Sequence, residues 1–275
     1  MSKYIFLFTI LFLNINSLYS KGKLIAAPGV SQIEGSAGGG LVPWSGVAGY
    51  ATDNEYSANA FCSRAIVEDF ALTSCGIQFS AYDQIELSYA KQLFRVHPLA
   101  LDLEQNITGA KIKLTGDLIY SKWPMLSLGV QFKKLDDPTV PFALGAAKRS
   151  GTDFYIAASK LHLGALGGYN WLWNTTLRRT KANEMGLLGF GSGTKEAKWM
   201  AEISTAIILD PELALGIEFR EKPDNLQLDE SNWSDIFIAW FPNKNVSATL
   251  AYVDLGKIAT IKGQTGWYMS FTGYW

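Results

Sequence analysis

The sequence has only two histidines and two cysteines among 275 residues. His97 and His162 are far apart, and neither has a second histidine or a carboxylate at metal-ligand spacing, so imidazole-based metal chemistry finds no support. No G-x-S-x-G is present, and no serine and histidine fall together on one face, as a lipid hydrolase would need. The reading is a non-enzyme without a cofactor. Formal net charge is −1 and no basic stretch is concentrated, which gives nucleic acid no landing surface. After the first 20 residues no run reaches 18 consecutive apolar residues, so crossing a membrane by helices is excluded. Membrane residence, if it exists, has to come from strands.

Two glycine-rich stretches look like phosphate loops at first sight, GSAGGG at 35–40 and GFGSGTK at 189–195. Neither has P-loop spacing, and Lys195 is followed by Glu196 rather than by serine or threonine. They read as flexible or lumen-filling segments.

What the chain does contain begins at its start. Lys3 precedes the apolar run YIFLFTILFL, and Ser20 offers a small residue before a cut at Lys21. Residues 1–20 therefore read as a secretory signal, since the run is too short to span a bilayer. About 255 residues would remain, enough for one large all-β domain.

Beyond residue 40, apolar residues recur with period two in segments of about 8–12 residues. Leu213, Leu215, Ile217 and Phe219 share one face, with Ala214, Gly216, Glu218 and Arg220 on the other. Counting back from the C-terminus gives strands near 263–275, 245–255, 234–242, 212–221, 199–209, 165–176, 152–161, 125–135, 108–118, 84–95, 70–82, 55–67 and 41–50, with a weaker one near 29–36. Short connections such as 82–84 and 210–212 alternate with mostly longer ones at 96–107, 136–151, 178–198 and 221–234. That alternation marks a transmembrane barrel with tight turns on one side and long loops on the other. The expected fold is all-β, a closed antiparallel up-and-down transmembrane β-barrel of 12 to 14 strands, with 14 favoured.

The terminal segment GWYMSFTGYW fits this fold. Trp267, Met269, Phe271 and Trp275 form an apolar stripe that would face lipid, and the open edge would pair with the first strand on closure. Trp44, Tyr50, Trp123, Trp171, Trp173, Trp199, Trp233, Trp240, Tyr274 and Trp275 are expected in the aromatic girdles at the two interfaces.

Cys62 and Cys75 test the register. If Glu68 and Asp69 make a two-residue turn, paired positions sum to 137 and the cysteines face each other, within the range a disulfide bridges. The same register separates apolar pairs (Ala60 with Ile77, Ala58 with Phe79) from polar pairs (Ser63 with Ser74, Asn59 with Gln78). By the same parity Glu86, Lys111, Lys113, Asp117, Lys133, Glu202, Glu218 and Arg220 point into the lumen, four acids and four bases. In a dry interior these must pair with one another or line water. Balanced signs give no strong ion selectivity.

At GVSQIEGSAGGGLVPWSGVAGY (29–50) and KANEMGLLGFGSG (181–193) the sequence resembles a proteobacterial family catalogued as domain of unknown function 3034. The resemblance implies an outer-membrane-type barrel and brings no catalytic residues. The terminal strand is also similar to the assembly signal of outer-membrane proteins, departing from it at Gly273, where a large side chain is usual. The expected organisation is a signal at 1–20, a Gly-rich segment at 21–40 acting as first strand or plug, and a barrel over 41–275 in the bacterial outer membrane. The expected partners are outer-membrane lipid, the barrel-assembly machinery and a small solute. The expected role is a passive channel or transporter, with a non-transporting surface or structural barrel as the alternative.

Overall fold

The computed structural model describes residues 23–192 and 197–275, so the expected signal at 1–20 lies outside the described residues. Two short strands come first, β1 (Val30–Ser31) and β2 (Ala37–Gly38), paired only with each other. Twelve long strands follow: β3 (Tyr56–Val67), β4 (Phe70–Ala81), β5 (Ile85–Val96), β6 (Leu101–Thr115), β7 (Met125–Leu135) and β8 (Ser150–Leu166). The second half comprises β9 (Tyr169–Thr180), β10 (Lys198–Asp210), β11 (Leu213–Arg220), β12 (Trp233–Asn243), β13 (Val246–Asp254) and β14 (Thr265–Tyr274). Each pairs antiparallel with its sequence neighbour, and β14 closes on β3 from Gly266 opposite Val67 to Tyr274 opposite Asn59. Closure leaves no free edge, which is what a strand needs to survive in hydrocarbon.

The barrel has 12 strands, not the favoured 14, and its wall begins at Tyr56 rather than at residue 41. The two extra strands expected near 29–36 and 41–50 are absent from the wall. Residues 28–45 and 47–50 are buried inside it, where Trp44 and Tyr50 also lie instead of in a girdle. Burial there is continuous rather than alternating, because the wall surrounds the segment on all sides. Trp233 and Tyr274 likewise turn inward. A further difference is at 96–107, expected as a long loop: only the 3-10 turn His97–Leu99 separates β5 from β6. Leu103, Gln105 and Ile107 supply inward, buried positions that extend β6 well past the expected start.

Alternation decides the wall. Leu215, Ile217 and Phe219 are exposed on the outside, with Phe79, Leu87, Phe132, Ile236 and Leu250 around them. The C-terminal stripe of Trp267, Met269, Phe271 and Trp275 joins this belt. Such a continuous apolar exterior on a closed barrel faces lipid. The β3–β4 hairpin has the register that places Cys62 opposite Cys75, and a disulfide joins them with Cα atoms 4.1 Å apart.

Both chain ends of the barrel lie at one rim, here the terminal rim. Connections there are short except 116–124, whereas the opposite rim carries 136–149, 181–197, 221–232 and 255–264. Within 136–149 is the single-turn helix α1 (Thr139–Ala143).

Candidate functional site

Inward positions of a 12-stranded wall do not meet across the lumen by side chains alone, which leaves room for water or for an inserted segment. Residues 28–50 occupy that room. Their backbone is irregular, and several of its carbonyls are met by polar side chains from the wall. Ser74 Oγ and Gln92 Nε2 donate to Ile33 O at 2.6 and 2.8 Å. Gln78 Nε2 donates to Gly35 O at 2.8 Å, Thr176 Oγ1 to Pro43 O at 2.7 Å, and Ser80 Oγ to Ala48 O at 2.6 Å. These donors come from β4, β5 and β9, so the segment is gripped from several sides.

An ionic belt runs through the middle of the lumen, centred on Glu34 of the inserted segment. Its carboxylate meets Arg220 Nη1 at 2.9 Å, Arg178 Nη2 at 3.3 Å and Lys133 Nζ. Lys133 also pairs with Asp153 at 2.7 Å, and Arg178 with Glu202. On the other side Glu86 and Lys111 are 3.1 Å apart and clasp the segment together. Glu86 accepts from Ala37 N at 3.1 Å and Ala48 N at 2.8 Å, while Lys111 donates to Ala37 O at 3.0 Å and Trp44 O at 3.1 Å. Buried ions tolerate such a place only when paired and hydrogen-bonded.

Six of the eight side chains expected inside are there and buried: Glu86, Lys111, Lys133, Glu202, Glu218 and Arg220. Lys113 sits at the terminal rim and pairs with Asp83, which also takes Lys23 at 2.5 Å. Asp117 is not inside. A bulge between Lys113 and Thr115 ends β6, and Asp117 instead accepts from Ile119 N at 2.8 Å and Tyr120 N at 2.7 Å in the following turn. The buried charges Glu34, Asp153, Arg178 and Asp235 lie outside the expected inward set. Parity within the expected strands 152–161 and 234–242 would have found Asp153 and Asp235. Arg178 fell in an expected loop, and Glu34 in a segment of unassigned geometry.

The two rims differ. Residues 182–191 and Ile258 at the opposite rim fold inward, and Leu187 and Ile258 pack on Val67, Phe70, Phe94 and Trp233, leaving a void of about 20 Å³. Lys222 fastens this cap, reaching Glu184 at 2.8 Å, Glu230 at 2.7 Å and Lys257 O at 2.8 Å. Burial and the neighbouring Glu230 push the Glu184 carboxyl up to about 7, against the pull of Lys222. At the terminal rim a cavity of about 540 Å³ remains open, with Leu24, Ala27, Leu118, Leu161, Leu172 and Ile208 on its walls. That volume is in the range of small-molecule sites. His97 lies in the turn between β5 and β6 at the opposite rim, whereas His162 packs on Trp171 towards the terminal rim, so the two share no site.

Among curated proteins none matches the chain. Among solved structures, the outer membrane protein Omp33 of Acinetobacter baumannii is similar at 7% identity and a TM-score of 0.49, over 82% of this chain and 100% of that one. The KdgM porin is similar at 6% identity and 0.49, over 79% and 98%. The COG4313 outer membrane channel from Pseudomonas putida F1 is similar at 12% identity and 0.43, over 86% and 97%. The model of one family, described as protein of unknown function (DUF3034), matches residues 27–272, and the chain belongs to that family.

Proposed function

We propose that this protein is a passive channel for small solutes in the bacterial outer membrane, held shut by its own N-terminal segment. One observation carries the reading: the wall is complete from β3 to β14, and what blocks it is a separate stretch, residues 28–50. That stretch is attached to the wall by hydrogen bonds and ion pairs, which water can replace, and joins it covalently only through the chain leading to Tyr56. In this orientation the terminal rim faces the periplasm and the capped rim faces outward, following the usual placement of short turns and long loops. The cavity at the terminal rim is the vestibule. The stripe of Trp267, Met269, Phe271 and Trp275 suits recognition by the barrel-assembly machinery before the same side chains meet outer-membrane lipid.

Planar-bilayer recordings test the reading. The full chain should show rare, brief openings, and a variant lacking residues 28–50 should conduct steadily, with liposome swelling identifying which solutes pass. A folded deletion variant that stays silent would overturn it. That outcome would favour the second reading, a structural barrel, to which the tight packing under the cap lends weight.

A further inference from the structure

The lumen-facing side chains change character around the terminal rim. At the terminal ends of β3, β4 and β5 they are polar and buried: Ser57, Asn59, Gln78, Ser80, Glu86 and Ser88. At the terminal ends of β8, β9 and β10 they are aliphatic. Leu161 stands opposite Leu172, Leu172 opposite Ala206, and Ile208 follows on β10. Leu118 of the connection 116–124 joins them, held by Leu161 N donating to Leu118 O at 2.8 Å. With residues 24–27 these side chains enclose the cavity of about 540 Å³. Such walls offer water no hydrogen-bond partner, and an apolar guest gains free energy in proportion to the area it covers.

We propose that this cavity binds the hydrocarbon chain of a free fatty acid, with the carboxylate at Lys23. The polar groups on its walls are few, and two are tied into turns: Asn170 Oδ1 accepts from Gly164 N at 3.0 Å and Asp210 Oδ1 from Glu212 N at 2.7 Å. A sugar, which is oriented by converging donors and acceptors, is poorly served by such walls. They are aliphatic rather than aromatic, with Tyr169 half exposed at the mouth, and so suit a flexible chain better than a stacked ring. Lys23, also on the wall, pairs with Asp83 at 2.5 Å, and Lys113 holds the same carboxylate. Two cations share one anion there, which leaves a place for a second. A further void of about 20 Å³ shares Ala26, Leu172 and Ile208 with the cavity and continues between the inserted segment and Ala214, Phe237 and Phe241. The aliphatic sector thus leads from the mouth to the segment that blocks the lumen. The acid's role as transported solute rests on the channel reading, whereas its binding does not.

The test is photo-crosslinking of a diazirine-bearing palmitic acid analogue to the full chain in lipid nanodiscs, with labelled residues mapped by mass spectrometry. Label is expected on the lumen-facing Leu118, Leu161, Leu172 and Ile208. A roughly tenfold excess of unlabelled palmitic acid should lower it by about the same factor, as two ligands of one site do. Label on the outer belt, as at Phe154 or Ile203, reports partition into lipid and should not be competed away. The matching fatty alcohol analogue should label the lumen more weakly, and Lys23→Gln should erase the difference between acid and alcohol. Leu161→Gln should reduce lumen label by either probe about tenfold. Three outcomes overturn the proposal: label confined to the outer belt, lumen label that excess palmitic acid leaves unchanged, or equal lumen label by acid and alcohol in the parent. If a variant fails to fold, competition and the alcohol comparison in the parent still decide. The channel reading fails separately. A conducting variant lacking residues 28–50, beside a parent without lumen label, keeps the channel and strikes the fatty acid; competed lumen label beside a silent deletion variant does the reverse.

Discussion

Glu34 is one side chain with three cations around it, and its removal is not local in effect. Glu34→Gln keeps the shape but withdraws one negative charge, leaving Arg220 with only Glu202 at 3.5 Å. Breaking a buried ion pair by removing one partner costs about 3–5 kcal/mol. The variant should seat the inserted segment less firmly, which limited proteolysis within 28–50 and more frequent openings in a bilayer would register. Glu184 makes a different prediction at the same scale. Its carboxyl titrates near 7 in the folded cap, above the ordinary glutamate value of about 4.3. The folded state therefore binds this proton more tightly than the unfolded one, and the contribution is fully present below about pH 4.3 and lost as pH rises through 7. Hydrogen-exchange protection in 181–192, corrected for the intrinsic rise of exchange with pH, should fall between pH 5 and 8. Glu184→Gln, which stays neutral, should flatten that dependence.

Elements explain what the sequence could and could not reveal. The wall strands were legible because lipid outside and a filled lumen inside impose opposite polarities on successive residues, as with Ile217 and Glu218 on β11. The β3–β4 register was legible because a two-residue turn fixes every pair from Tyr56 opposite Ala81 inward. The inserted segment was not, since its partners are distant in sequence: Ser31 meets Thr272, and Leu41 meets Glu218. No local signal distinguishes a carbonyl that will be met by Thr176 from one that will join a ladder. Gly39 was read as flexible, whereas its lack of a side chain is what lets the tip lie against Glu218. Gly39→Ala should accordingly push the tip off the wall and raise conductance without disturbing β3 to β14, which far-UV circular dichroism would verify. Replacing both Cys62 and Cys75 by serine acts on the wall instead. For a loop of this size, separation 13, chain entropy predicts a loss of about 3 kcal/mol, visible as a lower midpoint in guanidinium unfolding with conductance unchanged.

At the scale of the molecule, gating requires the inserted segment to leave a wall that stays closed, and a reversible tether separates this from breathing of the wall itself. Ser31 Oγ and Thr272 Oγ1 lie 3.1 Å apart, one on the inserted segment and the other on β14. Cysteines at these two positions are close enough to oxidise across the gap, and the native pair, already joined between adjacent wall strands, does not restrain the segment. Oxidised Ser31→Cys/Thr272→Cys should be silent in the bilayer, and reductant should restore the openings of the parent chain within one recording. The Cys62→Ser/Cys75→Ser background excludes any effect of reducing the native bridge. Openings that persist in the oxidised double cysteine would mean that solute passes with the segment in place, through rearrangement of the cap that Lys222 holds together. Silence relieved only by reduction would place the moving part in residues 28–50.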